Sequence, residues 1–292
     1  MRNILIVGKN SFIGNNYSQF TQQKNVEKVS LRLHSVSELI LKDTDVILHL
    51  AAIVHQTTKI PEENYFKVNT DLAYDLAEKA KKDGVKQFIF FSTIRIYGEY
   101  TVEGEKWTEE TPPKPIDPYG RSKLKAEERI MKLNDDEFTV TILRIPMVYG
   151  PGVKGNMLKL IRFIEKYHFL PLGGIQNKRS IIYIKNLVDF IDAVIEKNAS
   201  GIYVAADHEL VSTSDIAINI AKGVKGKRHI IKFPLFMQRL LKLFWKSKSQ
   251  KLFGNLELDN TQSLKELGFT PKYSFDQGMN EMMEWYNQQK TE

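Results

Sequence analysis

The strongest constraint on the fold of this chain is a repeated pattern of short apolar runs, each followed by small or turn-forming residues and then by a helical stretch. Asn3–Val7 leads into Gly8-Lys9-Asn10-Ser11-Phe12-Ile13-Gly14. A second run, 26–31, ends at Arg32, and a third, 45–50, runs into Ala51-Ala52. The fourth, 87–91, ends in Ser92-Thr93, and Thr139–Ile145 ends at Pro146. Helical patterns fill 69–83 and 122–133 between them. Strand and helix in strict alternation predict an α/β fold: a doubly wound parallel sheet covered on both faces. Ligands of such sheets bind outside the carboxyl ends of the strands, where Gly8, Ala51, Thr93 and segment 144–150 fall.

The first turn has the requirements of a phosphate cradle. Gly8 permits a tight turn, Gly14 permits close packing of helix on strand, and helix N-terminal amides would face a pyrophosphate. Ser11 stands where such turns usually carry their middle glycine, and adds a hydroxymethyl group at the expected approach. At the end of the second strand an acidic residue would hold ribose hydroxyls. Arg32 suits a 2′-phosphate instead, although a surface arginine reads the same way. Ala51 and Ala52 leave room for a flat ligand face; helix packing explains them equally.

Tyr119-Gly120-Arg121-Ser122-Lys123 follows a loop containing Pro112, Pro113, Pro115 and Pro118. Tyr119 and Lys123 are four apart, so both project from one helix face. A phenol has a pKa near ~10 and is a poor base at neutral pH. A neighbouring ammonium favours the phenolate, so Lys123 is expected to lower that value. The spacing alone is equally that of a solvated helix face. A second copy, Tyr286 and Lys290, lies near the C-terminus and is assigned no chemistry.

Beyond Gly150-Pro151-Gly152 glycines, lysines and short helices predict a second lobe. A strand is expected at 180–184, a helix at 186–197 and a strand at 201–205, with Ser212 or Ser214 capping a helix through Lys222. The expected division is a dinucleotide-binding unit at 1–150 plus about 180–198, and a smaller C-terminal substrate lobe at 151–179 and 199–292.

Composition excludes several classes. There is no cysteine, hence no disulfide and no thiolate metal site, and no metal is expected. No apolar run reaches the ~18 residues of a spanning helix. Met1-Arg2-Asn3-Ile4 runs straight into an apolar strand without a separate leader, and a cytoplasmic location is expected. The net charge of +7 is concentrated: 222–251 holds ten Lys or Arg and no Asp or Glu, leaving −3 on the rest. Within it, Phe236, Leu240, Leu241, Phe244 and Trp245 alternate with Arg239, Lys242 and Lys246. This stretch would lie on an anionic membrane surface, pack in the lobe with a solvated basic edge, or attract an anionic substrate. Packing is favoured, because amphipathic helices are routine in globular folds. Nucleic-acid binding is not expected, since no recognition motif accompanies the charge.

Together the motifs resemble those of the extended short-chain dehydrogenases/reductases, in the nucleotide-sugar epimerase/dehydratase family. Gly8…Gly14, His49-Leu50-Ala51-Ala52, Asn69, Phe91-Ser92-Thr93-Ile94-Arg95-Ile96-Tyr97-Gly98, Tyr119…Lys123, Leu143-Arg144, Val148-Tyr149-Gly150-Pro151-Gly152 and Arg179…Tyr183 stand in family order. The resemblance implies a Rossmann-type sheet and a nicotinamide cofactor. It makes Thr93 a hydrogen-bond partner of the substrate oxygen, Tyr119 the acid/base, and Lys123 the group that tunes Tyr119 and holds the nicotinamide ribose. It implies cofactor contacts from Gly8, Ser11, Phe12, Ile13, Gly14, Arg32, Leu50, Ala51, Ala52, Asn69, Ser92, Tyr119 and Lys123, and substrate contacts from Thr93, Met147, Asn156 and Arg179.

Three departures bear on function. Dehydratases of the family carry Asp-Glu after the catalytic threonine; Ile94 and Arg95 cannot supply that acid and base. Met147, after Pro146, replaces a frequent asparagine. Ser11 and Arg32 favour NADP over tightly held NAD. The branch most resembled acts on UDP-sugars in bacterial surface-polysaccharide synthesis. The first expectation is therefore a 4-ketoreductase of a UDP-4-keto-6-deoxy sugar; the alternative is a UDP-sugar 4-epimerase that retains NAD. Family analogy also implies a homodimer.

Overall fold

The computed structural model describes residues 2–54, 60–234, 243–244 and 246–290, with backbone only at 246–248 and 251. Six parallel strands form the central sheet: β1 (Asn3–Val7), β2 (Asn25–Val29), β3 (Val46–His49), β4 (Gln87–Thr93), β5 (Thr139–Ile145) and β9 (Gly201–Val204). Their order is β2-β1-β3-β4-β5-β9. The chain reverses its winding between β1 and β3, which opens a crevice at the carboxyl ends of those two strands.

The pleat of β4 explains the two layers. Ile89 and Phe91 face a cluster containing Ile6, Leu48, Leu143 and residues of α6 (Ile184–Glu196). Phe88 and Phe90 face Leu76, Ala77 and Ala80 of α3 (Leu72–Lys82), and Ala126 and Ile130 of α4 (Pro118–Ile130). Alternate side chains of a strand point to opposite faces, so an unbroken apolar run is what a sheet buried on both sides requires. On the first face α1 (Phe12–Phe20) is fastened by Tyr17, whose hydroxyl donates to Asp192 Oδ1 at 2.7 Å.

The remaining strands stand apart. β6 (Met147–Tyr149) pairs with β8 (Ile181–Tyr183), and β7 (Phe169–Gly173) with β10 (His229–Lys232). α5 (Gly155–Lys166), α7 (Thr213–Gly223) and the helix Phe275–Gln288 complete this part. One apolar cluster runs from Ile4 and Leu48 to Met279 and Met282.

Several boundaries differ from expectation for local reasons. β2 ends at Val29, because the Val29 carbonyl accepts from both Gly8 N and Lys9 N at 3.0 Å, and the chain then leaves the sheet. The helix expected at 69–83 begins at α2 (Glu62–Phe66), passes through a π-turn at Lys67–Asp71 and continues as α3. α4 begins at Pro118, not at 122. The Asp117 carboxylate accepts from Gly120 N at 2.6 Å, and Pro118 fills the first turn, where its missing N–H costs nothing. Ser212 caps α7 through a reciprocal box with Asp215, while Ser214 Oγ donates to Leu172 O at 2.7 Å. The expected strand 180–184 is β8, which joins β6 rather than the central sheet.

Candidate active site

The site is assembled at the end of β4. Ser92 and Thr93 point to opposite faces, and their surroundings diverge accordingly. The Thr93 hydroxyl accepts from Arg95 N at 3.3 Å and faces the Tyr119 phenol closely enough to lower its pKa. Tyr119 occupies the first turn of α4, and Lys123 follows one turn later on the same face. Lys123 is 2% exposed; its Nζ donates to the Phe91 carbonyl at 2.8 Å and lies 4.3 Å from the Phe90 ring centroid. Thr93 and Tyr119 thus face each other across two segments of the sequence, and Lys123 lies one turn along the same helix with its ammonium on the Phe91 carbonyl, two residues before Thr93.

Their electrostatics correct one expectation. Burial pushes the Tyr119 phenol up to about 12; the Thr93 hydrogen bond and Arg95 oppose this, while Asp117 adds to it. Burial pulls Lys123 down to about 7, against the pull of Glu127. Lys123 does not lower the phenol here, because its ammonium is turned to the Phe91 carbonyl and the Phe90 ring. A cation with so few partners in an apolar layer loses its proton more readily than it perturbs a neighbour.

Ser92 is also corrected: its hydroxyl donates to Glu127 Oε1, away from the crevice. Glu127, one further turn along α4, forms a buried ion pair with Arg144 of β5 at 2.7 Å. Arg144 also donates to the Tyr97 hydroxyl at 2.8 Å and to the Glu109 carbonyl at 3.0 Å. Asn69, expected to touch cofactor, is spent on the scaffold. Its Oδ1 accepts from Ile53 N at 2.8 Å, and its Nδ2 donates to Ile53 O and Ser122 Oγ at 3.0 Å. Asn69 therefore positions the loop after β3 against the helix that carries Tyr119 and Lys123. A π-turn within a helix often marks such a place.

A cavity of about 480 Å³ lies at the crevice between β1 and β3. Gly8, Ser11, Arg32, Leu50, Ala51 and Ala52 line it, together with Asn10 and Ser30. At Gly8, φ is +127° and an added Cβ would stand 3.1 Å from Ala51 N, so only glycine fits. At Gly14 an added Cβ would come within 2.9 Å of Ile6 Cγ2 and 2.5 Å of Ser11 Oγ. Ser11 does not obstruct the approach: its hydroxyl turns back and accepts from Gly14 N at 3.0 Å, capping α1. Phe12 and Ile13 pack against the core. This cradle, made of a glycine turn, a helix N-terminus and an arginine at the far wall, fits a dinucleotide.

The substrate residues are more dispersed. Met147 is half-buried in β6, Asn156 is exposed in the first turn of α5, and Arg179 bridges by backbone to Val211 and Leu256. The helix expected at 234–245 lies largely outside the described residues. Among the described residues no cluster of three or more His, Asp or Glu is placed to hold a metal ion, and no helix is long and apolar enough to cross a membrane.

Sequence reasoning missed two parts. Arg95 Nε donates to Asp117 Oδ2 at 2.8 Å, tying the turn after Thr93 to the cap of the Tyr119 helix. The signal was Asp117 before Pro118, a helix-start signature. Glu127, four residues after Lys123, was visible only as one more charge on a helix.

Known proteins bear on this geometry. The chain matches the NAD dependent epimerase/dehydratase family over residues 4–206. It is 34% identical to UDP-glucose 4-epimerase of Vibrio cholerae, across 95% of this chain and 93% of that protein. The fold is similar to RMD from Pseudomonas aeruginosa, solved with NADPH, at a TM-score of 0.80 and 15% identity over 99% of this chain and 100% of that one. It is similar to UDP-glucuronic acid 4-epimerase from Bacillus cereus, solved with NAD, at a TM-score of 0.75 and 19% identity over 98% and 99%.

Proposed function

The chain belongs to the NAD dependent epimerase/dehydratase family, and from that premise we propose that it is a UDP-sugar 4-epimerase. The observation that carries this reading is Thr93 facing Tyr119 at the end of β4, with Lys123 one turn along the same helix and Asn69 tying that helix to Ile53 in the wall of the Gly8 cradle. The Vibrio cholerae relative supports it over the ketoreductase expected first from the sequence. When bound, the nicotinamide ring supplies the reversible hydride chemistry at C4.

The chain's own residues handle the proton. The Thr93 hydroxyl would hold the sugar oxygen next to Tyr119. Tyr119 would take the C4 hydroxyl proton and return it, a role worth about 10²–10⁴ in rate. A phenol pushed up to about 12 by burial is a poor base, so the reaction requires a cation near it. Lys123 is the group one turn away, and it becomes available when its ammonium leaves the Phe91 carbonyl. Ile94 is buried and Arg95 is engaged with Asp117, which supports setting dehydration aside.

The 4-ketoreductase is the second reading, favoured by Arg32 in the wall of the cradle, where it suits the 2′-phosphate of NADP. Residues 151–179 and 199–292 would serve as the substrate lobe, with Arg179 on the pyrophosphate, and the enzyme would work as a homodimer. The test is to purify the protein, identify any dinucleotide it carries, and supply UDP-glucose or UDP-GlcNAc without added cofactor. Interconversion at C4 supports the epimerase. Turnover only of a UDP-4-keto sugar, and only with added NADPH, overturns it for the reductase.

A further inference from the structure

Away from the active site, β7 and β10 form a two-stranded parallel sheet in which Phe169 pairs with His229 and Leu170 with Ile230. Its inner side is ordinary core, with Leu170 and Leu172 buried. Its outer side is not: Phe169 is 68% exposed and stacks on His229 at 5.1 Å, and Ile231 is 47% exposed. The end of α5 extends this patch. Phe163 and Tyr167, both nearly half exposed, pack against each other with ring centroids 5.1 Å apart, and Lys166 lies 5.4 Å from the Tyr167 ring centroid. Arg228 ties the two parts together by donating to the Ile164 and Glu165 carbonyls at 3.2 and 3.1 Å.

Single exposed apolar residues are normal on a soluble protein. Here they pack in ring pairs and are bordered mainly by lysines. Lys222, Lys225, Lys227 and Lys232 flank or belong to β10, and the sequence from 222 to 251 contains no carboxylate. Two carboxylates on the adjoining helices are already engaged, Glu165 of α5 by Tyr286 and Lys290, and Asp215 of α7 by Ser212. Phosphate binding alone would not need exposed isoleucine and phenylalanine, and an apolar protein partner would not need this charge. A bilayer interface uses both: aromatic side chains at headgroup depth and lysines drawn to anionic lipid.

We propose that the outer face of β7 and β10, with the end of α5, docks the protein on an anionic lipid bilayer. Phe163, Tyr167, Phe169 and Ile231 enter the headgroup boundary, and the flanking lysines meet lipid phosphates. The proposal is independent of which sugar the enzyme handles.

The test is co-sedimentation of the full chain with vesicles of phosphatidylcholine, with and without phosphatidylglycerol. Binding is expected on the anionic vesicles alone and is expected to fall with salt. Two variants, Phe169→Ser/Ile231→Ser and Lys225→Glu/Lys227→Glu, should each weaken that binding by about tenfold or more. Both should keep the wild-type melting transition and turnover of a soluble nucleotide sugar. Absence of binding, equal binding to both vesicle types, or wild-type binding by either variant overturns the proposal. So does a dimer that the Phe169→Ser/Ile231→Ser variant dissociates, because the face would then be a self-interface.

Discussion

This chain contains the same tyrosine-lysine spacing twice, and the two copies behave differently. Tyr119 and Lys123 stand where α4 meets the end of β4: the phenol faces Thr93, and the lysine is buried with one carbonyl partner and a pKa of about 7. Tyr286 and Lys290 stand on the helix Phe275–Gln288 and the turn after it. Both reach Glu165 of α5; the Tyr286 hydroxyl donates to it at 2.8 Å. Glu165 holds Lys290 above its ordinary value, where burial holds Lys123 below its own. A spacing of four supplies a shared helix face and nothing more. The strand end, the threonine and the desolvation supply the chemistry.

The largest effect should come from exchanging the two tyrosines in turn. Tyr119→Phe should lower kcat by about 10²–10⁴, the range for losing a positioned acid-base group. Tyr286→Phe should leave kcat and KM at wild-type values. Steady-state kinetics on both variants would break the comparison if Tyr286→Phe were the impaired one.

Glu127 sharpens the same contrast. Its ion pair with Arg144 is buried, with side chains 4% and 5% exposed, whereas Glu165 meets an exposed lysine. Glu127→Leu would leave the Arg144 cation buried without its carboxylate, which costs about 3–5 kcal/mol. Denaturant unfolding should show a loss of that size, and Glu165→Leu a much smaller one.

The sheet was legible because a run buried on both faces is apolar at every position, as in 87–91, and needs no knowledge of partners. Thr93, Tyr119 and Lys123 were legible as a set because each stands at a predicted strand end or on the helix that follows. Other roles depended on distance. Nothing in the sequence says that the Ser92 hydroxyl turns to Glu127 while Thr93 faces Tyr119, because strand ends are placed only to a few residues and one residue reverses the face. The scaffold role of Asn69 was hidden in the same way: it lies in a π-turn, and its amide bonds Ile53 and Ser122, which are distant in sequence. The direction of the Lys123 ammonium depends on a backbone carbonyl, which no side-chain pattern reports.

Lys123 also makes a prediction for stability. The folded group has a pKa near 7 against an ordinary 10.5. Between those values the unfolded chain binds the proton and the folded chain does not, so this group makes stability rise with pH across the window. Denaturation midpoints taken at about pH 7 and pH 9 should rise for the wild type. The rise should be smaller in Lys123→Met and unchanged in Lys290→Met, whose folded value is shifted upward instead.

A finer shift belongs to the ion pair beside Tyr119. Arg95 lowers the phenol and Asp117 raises it. The limb of kcat/KM that reports Tyr119 should therefore move to higher pH in Arg95→Gln and to lower pH in Asp117→Asn. Asparagine still caps a helix, so the second variant keeps α4 in place. Shifts in the same direction would mean that the pair acts only by holding the two turns together.

The smallest effect is the stability of the second pair itself. The Tyr286 hydroxyl is mostly buried against Glu165, so Tyr286→Phe should cost about 0.5–1.5 kcal/mol, the net value of one hydrogen bond. Lys290 is 44% exposed, and an ion pair open to solvent is worth about 0–1 kcal/mol, so Lys290→Met should cost less. The two are not independent, because each satisfies the same carboxylate. With both removed, Glu165 loses two partners at once, and the double variant should cost more than the sum of the single losses. A sum that is strictly additive would show that Glu165 is solvated well enough to need neither. The resemblance between the two tyrosine-lysine pairs would then have no physical content beyond the period of the helix.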